Sequence, residues 1–193
     1  RGENIYGLDD WWGIHTKSNH YEYIDKAFRW AREADPKSVL ILNDFGNERQ
    51  NNISDLMYNY VKGALQRGVP IDAIGMQMHI DGSNPPGKEE VIANMKRFAA
   101  LGLKTYVTEF DVNMADVKGS YKEKAEIEKK IYYDMMRACI ESKTCPSFAF
   151  LGITDKETWY NYMGLTQPMP LMFNKYYKQK PAYYGLRQAL EEQ

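Results

Sequence analysis

The sequence predicts an α/β chain whose strands run parallel beneath a layer of helices. Three observations carry that expectation. After a first helix-period segment, strand-like and helix-like segments alternate four times over, and parallel strands need crossover helices between them. The strand-like runs are apolar along most of their length, as in strands covered on both faces. Their polar residues gather at the C-terminal ends, where barrels and doubly wound sheets alike place their sites.

The elements follow in order. Arg1 to His20 is irregular, with Trp11 and Trp12 as expected anchors. A helix over about Tyr21 to Ala34 carries Ile24, Ala27, Phe28 and Ala31 at helical spacing, and Asp35-Pro36 ends it. Val39 to Asp44 reads as a buried strand, too apolar to have a wet face. The polar loop Gly46 to Asn52 after it is a candidate substrate contact. Ile53, Leu56, Met57, Tyr60, Val61, Ala64 and Leu65 repeat at three and four residues, and Gly68 supplies the stop. The strand Ala73 to His79 precedes a loop with Pro85-Pro86-Gly87. A helix with Val91, Ile92, Met95, Phe98 and Ala99 then stops at Gly102. The strand Thr105 to Asp111 leads to a charged helix, Tyr121 to Ser142, whose run Lys122 to Lys130 reads as a solvated face. Ser147 to Ile153 is the last strand, its loop holds Asp155 and Trp159, and Pro181 opens the last helix.

The bulk properties bound the partners. At 193 residues the chain can form one domain with a sizeable core. Lys+Arg 25 against Asp+Glu 26 gives a net charge of -1, so nothing points to nucleic acid or an anionic membrane. No apolar run is long enough to span a bilayer. Arg1 opens the sequence without a signal-like apolar segment, from which a processed, trimmed or excised chain is expected. Aromatics at 13% suit a sugar-binding cleft, although composition alone favours ordinary core and surface tyrosines. Cys139 and Cys145 either staple a helix end to the next strand or stay reduced. No CxxC or Cys/His cluster offers a zinc site, and no Gly-rich phosphate fingerprint follows a strand, so neither metal nor cofactor is expected.

Two strands carry the chemistry. Side chains alternate along a strand, so Thr105, Val107, Glu109 and Asp111 are expected on one face, with Tyr106, Thr108 and Phe110 on the other. Burying carboxylates at the end of an apolar segment is costly unless they are used or paired. The earlier strand has the same design, with Gln77 and His79 on one face and Ile74, Met76 and Met78 opposite. Gln, His, Glu and Asp at matching strand ends would form an active-site rim. His15 and His20 have no such company and read as surface residues.

The ordered set of segments resembles the family 10 glycoside hydrolases, the endo-1,4-β-xylanases. The matching pieces are Ala27-Phe28 with Ala31 to Pro36, Asn43-Asp44-Phe45, Gly68 to His79, Thr108-Glu109-Phe110-Asp111, Gly152 to Lys156 with Trp159, and Lys180-Pro181-Ala182-Tyr183. The resemblance implies a (β/α)8 barrel, with residues 1–193 as the C-terminal part of one catalytic domain, roughly strands five to eight. It implies that Glu109 is the nucleophile of a retaining xylanase, that His79 bonds Glu109, and that Asp111 holds the other ring nitrogen. A histidine so oriented can aim a neighbouring carboxylate at an anomeric carbon. Gln77, Asn43, Phe45 and Trp159 become substrate-binding candidates. The cysteine pair also fits a disulfide that the family often carries there, and with it a secreted protein.

Three departures qualify the resemblance. The family's acid/base motif has no counterpart here, and Glu3 in Arg1-Gly2-Glu3-Asn4 does not match it. Leu151 stands where the family has Trp, which thins one wall of the sugar subsite, and Phe45 stands for Tyr. The expectation is therefore a half-enzyme, inactive by itself, with xylan or xylo-oligosaccharides as substrate. It would pair with the missing N-terminal half or a second copy through open sheet edges. The alternatives are a non-catalytic carbohydrate-binding remnant, or a barrel glycosidase acting on another β-glycan.

Overall fold

A computed structural model describes residues 21–192. Trp11, Trp12, His15, His20 and Glu3 lie outside the described residues. Helix α1 spans Glu22–Ala34 and strand β1 Ile41–Asp44. Helix α2, Asn52–Gln66, precedes strands β2, Ala73–Met76, and β3, His79–Asp81. Helix α3, Lys88–Ala99, leads to strand β4, Lys104–Asn113, and helix α4, Tyr121–Ser142. Strand β5, Phe148–Phe150, is followed by a 3-10 turn at Trp159–Met163 and by helix α5, Pro181–Glu191.

Local chemistry sets the helix boundaries. Asn51 and Ser120 cap α2 and α4, each in a reciprocal box with the residue three positions on, Ser54 and Glu123. Pro181 enters the first turn of α5, where a missing N–H costs nothing. Gly68 ends α2 with φ +69°, a left-handed turn that suits glycine. The buried stripe of α2 is Met57, Tyr60, Val61 and Ala64, at the spacing that the sequence shows. Leu56, expected in that stripe, is 40% exposed.

All the strand pairs are parallel. β1 pairs β2, β2 and β3 pair successive lengths of β4, and β5 also pairs β4. β2 and β3 are thus one strand broken at Gln77-Met78, where Met78 takes a φ of 59°. The expected unbroken alternation through Gln77 and His79 therefore fails at that point.

A second irregularity lies opposite the break. Met76 faces Val107 and His79 faces Asp111, so three steps on one strand meet four on β4. On the other side Val107 faces Phe148 and Phe110 faces Phe150, so two steps meet three. Both neighbours register one extra residue in β4 between Val107 and Phe110, a β-bulge. The bulge reverses the parity of the strand. Phe110 is buried against Tyr132 of α4 and the rings of Phe148 and Phe150. Thr108, expected beside Phe110, instead joins Glu109.

Three other expectations need correction. Val39 and Ile153 are 55% and 63% exposed, because the strands are shorter than the apolar runs, and Asn43 gives β1 an exposed position. In the loop Gly46 to Asn52, Asn47 and Glu48 are buried, and Asn47 Nδ2 donates to Gly75 O, so much of the loop is packed inward. Glu128 interrupts the solvated run of α4, for it is fully buried.

Candidate active site

The bulge builds the site by turning two consecutive residues of β4 toward Asn43 of β1. Asn43 Nδ2 donates to Glu109 Oε1 at 3.1 Å, and Thr108 Oγ1 donates to Asn43 Oδ1 at 2.8 Å. To make both bonds the amide must cross β2, and it crosses at Gly75. A Cβ there would lie 2.3 Å from Asn43 Oδ1 and 2.9 Å from its Cγ. The missing side chain at Gly75 is the space in which Asn43 orients Glu109.

His79, at the start of β3, lies between two carboxylates. Its Nδ1 is 3.0 Å from Asp111 Oδ1, and its Nε2 is 3.6 Å from Glu109 Oε2. Burial by itself would push its pKa down. The bond and charge of Asp111, followed by those of Glu109, outweigh burial and hold it above the usual histidine value. A protonated imidazole donates at both nitrogens, so this setting matches one N–H to Asp111 and turns the other toward Glu109.

Asp111 is the fixed point behind His79. It is completely buried and accepts three bonds: from His79, from Trp159 Nε1 at 2.7 Å to Oδ2, and from Tyr160 Oη at 3.0 Å to Oδ1. A buried carboxylate so surrounded is compensated. The Trp159 ring, 37% exposed, also lies 5.2 Å from the His79 ring. Burial, and after it the charge and bond of Asp111, raise the Tyr160 phenol pKa, so the phenol stays a donor.

The structure thus brings Glu109, His79, Asp111, Asn43 and Trp159 into one bonded cluster. Phe45 is 57% exposed beside it, its N–H held by Asp44 Oδ1. Gln77 sits in the break between β2 and β3, where its backbone N–H donates to Asp44 O. Among the described residues its side chain makes no hydrogen bond. Sequence reasoning missed Thr108, Gly75 and Tyr160. Only Tyr160 left a signal, as the ring next to Trp159. Cys139 and Cys145 are joined, away from this cluster, at the end of α4. Among the described residues no group of three or more His, Cys, Asp or Glu could hold a metal ion. No helix among them is long and apolar enough to cross a membrane.

Comparison with known proteins gives one answer. The sequence profile described as glycosyl hydrolase family 10 matches residues 13–189. Endo-1,4-beta-xylanase B of Thermotoga neapolitana is 39% identical over 176 residues, covering 89% of this chain and 49% of that protein. The crystal structure of native xylanase 10B from Thermotoga maritima superposes with a TM-score of 0.82 at 37% identity, over 90% of this chain and 53% of that one. Xylanase 10B from Thermotoga petrophila, solved in complex with xylobiose, gives 0.81 at 35% identity, over 91% and 55%. The chain spans about half the length of these relatives. Its parallel strands and outer helices are part of a (β/α)8 barrel.

Proposed function

The chain belongs to glycosyl hydrolase family 10, and from that premise we propose that it carries the nucleophile side of a retaining endo-1,4-β-xylanase. Glu109 attacks the anomeric carbon of a xylosyl unit, the glycosidic bond breaks, and a covalent glycosyl-enzyme forms. Water then attacks the same carbon, and Glu109 departs as a carboxylate. Asn43 and His79 hold one Glu109 oxygen each, which fixes the direction of attack. Asp111 keeps His79 in place, and Trp159, Phe45 and Gln77 contact sugar. The observation that carries this reading is the two-sided grip on Glu109 at the bulge of a barrel strand.

Retention also needs a second carboxyl about 5–5.5 Å from the nucleophile. The other carboxylate of the cluster, Asp111, is buried and fully engaged with His79, Trp159 and Tyr160. In this reading the proton donor comes from outside residues 21–192, and those residues by themselves turn over little xylan. The inner sheet face and the edges at β1 and β5 receive the complementary half-barrel or a second copy. A monodisperse monomer that stays single when that half is supplied would contradict this. The Cys139–Cys145 bond supports a secreted protein.

The test is hydrolysis of xylan by the chain joined to the complementary half of a family 10 barrel. Glu109→Ala is expected to lower turnover by at least ~10³-fold with folding intact. Unchanged activity would refute the assignment.

A further inference from the structure

The segment Lys180-Pro181-Ala182-Tyr183 takes no part in the chemistry above, yet Lys180 is 1% exposed. Its ammonium reaches Glu128 Oε1 on α4 at 2.9 Å and Asp155 Oδ2 at 3.0 Å. It also donates to Leu171 O at 2.7 Å and Met169 O at 2.8 Å. A buried lysine survives only where such acceptors replace water. Here they come from α4, from the loop after β5, and from the segment that returns to α5.

That meeting point is the base of the loop carrying Trp159 and Tyr160. The loop leaves the base at Asp155 and comes back at Pro168. Asp155 Oδ1 accepts Leu171 N–H at 2.9 Å, and its own N–H donates to Phe173 O at 2.8 Å. Pro170 O accepts Tyr132 Oη at 2.7 Å and Val112 N–H at 3.1 Å, while Met114 N–H donates to Pro168 O at 2.7 Å. The base is thereby stitched to β4, the strand of Glu109. Gln167 and Met169 hold φ of 51° and 44°, left-handed values that non-glycine residues keep only where surroundings impose them. Lys180 binds the carbonyl of one of them, Met169 O.

We propose that Lys180 is a positioning residue for the Glu109 site: it closes the base of the Asp155–Leu171 loop, and so fixes where Trp159 and Tyr160 grip Asp111. The inference rests on the catalytic reading of Glu109, His79 and Asp111 and adds to it the anchor of the loop. Charge at the knot agrees. Burial lifts the Glu128 carboxyl to about 8 against the opposing pull of Lys180, with Asp155 adding to the rise. The knot thus packs Glu128, Lys180 and Asp155 together beside the Tyr132 phenol.

The test is the imidazole titration of His79 by NMR in the whole chain, with far-UV circular dichroism as the folding control. In Lys180→Met the loop slackens, Asp111 loses its fixed partners, and the His79 pKa shifts down toward the usual value. Asp155→Asn is expected to shift it the same way, and it decides the matter if Lys180→Met does not fold. Glu128→Gln, which keeps an acceptor oxygen for Lys180, leaves the titration in place. Val61→Ala, a core truncation in α2, also leaves it in place, which separates positioning from general loosening. An unmoved His79 in the folded Lys180 or Asp155 variant overturns the proposal, as does an equal shift in Val61→Ala. If wild-type His79 titrates at or below the usual value, the catalytic reading falls instead.

Discussion

Gly75→Ala is the sharpest perturbation of the site, because it adds one methyl group and replaces no side chain of the cluster. The new Cβ would sit 2.3 Å from Asn43 Oδ1 and 3.0 Å from its Cβ. Asn43 must turn away, which breaks its bonds to Thr108 at 2.8 Å and Glu109 at 3.1 Å. Overpacking of this kind costs about 1–3 kcal/mol. Each lost bond adds up to about 1 kcal/mol, and less here because Asn43 is exposed. The expected total is about 2–4 kcal/mol. The assay is urea unfolding of Gly75→Ala, Asn43→Ala and the double variant. Since the clash and the lost bonds both run through the Asn43 amide, the cycle should be non-additive by about 1–2 kcal/mol. In an active form, both single variants should lose xylanase rate through kcat more than KM, Glu109 being misaimed rather than substrate released. Additivity within about 0.5 kcal/mol would refute the claim that Gly75 exists to admit Asn43.

Asp111→Asn should cost about 1–3 kcal/mol, because one of the two oxygens that accept from His79, Trp159 and Tyr160 becomes an NH2 donor. It should also change the pH dependence. His79 has its folded pKa raised above 6.5, so its contribution to stability is full below that pH and lost as pH rises through the folded value. The gap between wild type and Asp111→Asn in urea unfolding should therefore narrow from acidic to alkaline pH; a constant gap counts against the His79–Asp111 couple. Glu128 makes its own mark, for its folded pKa of about 8 lies above the usual 4.5, so stability declines as pH rises between those values. Glu128→Gln should flatten that part of the stability profile, and an unaltered slope would contradict its burial beside Lys180. Replacing Cys139 and Cys145 by Ser should lower stability by about 2 kcal/mol, as expected for a cross-link spanning six positions, and leave the His79 titration unmoved. Equal unfolding with and without reductant would contradict a formed bond.

What the sequence made legible is what depends on local period. The bounds of α4, the start at Pro181 and the stop at Gly68 follow from spacing and turn chemistry alone. The Glu109–His79–Asp111 grouping was legible too, since Glu109 and Asp111 lie two residues apart in one apolar segment and His79 closes the segment Ala73 to His79. What escaped is set by tertiary partners. A bulge of one residue leaves no trace in Lys104–Asn113, so the company of Thr108 was read from the wrong parity. Glu128 sits in a run of charges and is solvent-facing by every local sign; its partner Lys180 is 52 residues away. Gly75 looked like an ordinary strand glycine until the Asn43 amide was seen to occupy its missing side chain. Val39 and Ile153 show the converse, apolar residues beyond the ends of strands that are shorter than the runs containing them.

The central claim is that Glu109 is the attacking carboxylate. A 2-fluoro-xylobioside with a dinitrophenolate leaving group tests it most directly, because such a leaving group departs without a proton donor and leaves the glycosyl-enzyme slow to hydrolyse. Incubated with the chain joined to its complementary half-barrel, it should add one 2-deoxy-2-fluoroxylobiosyl mass, and peptide mapping should place that mass on Glu109. Labelling at any other carboxylate, or equal labelling of Glu109→Ala, would contradict the account.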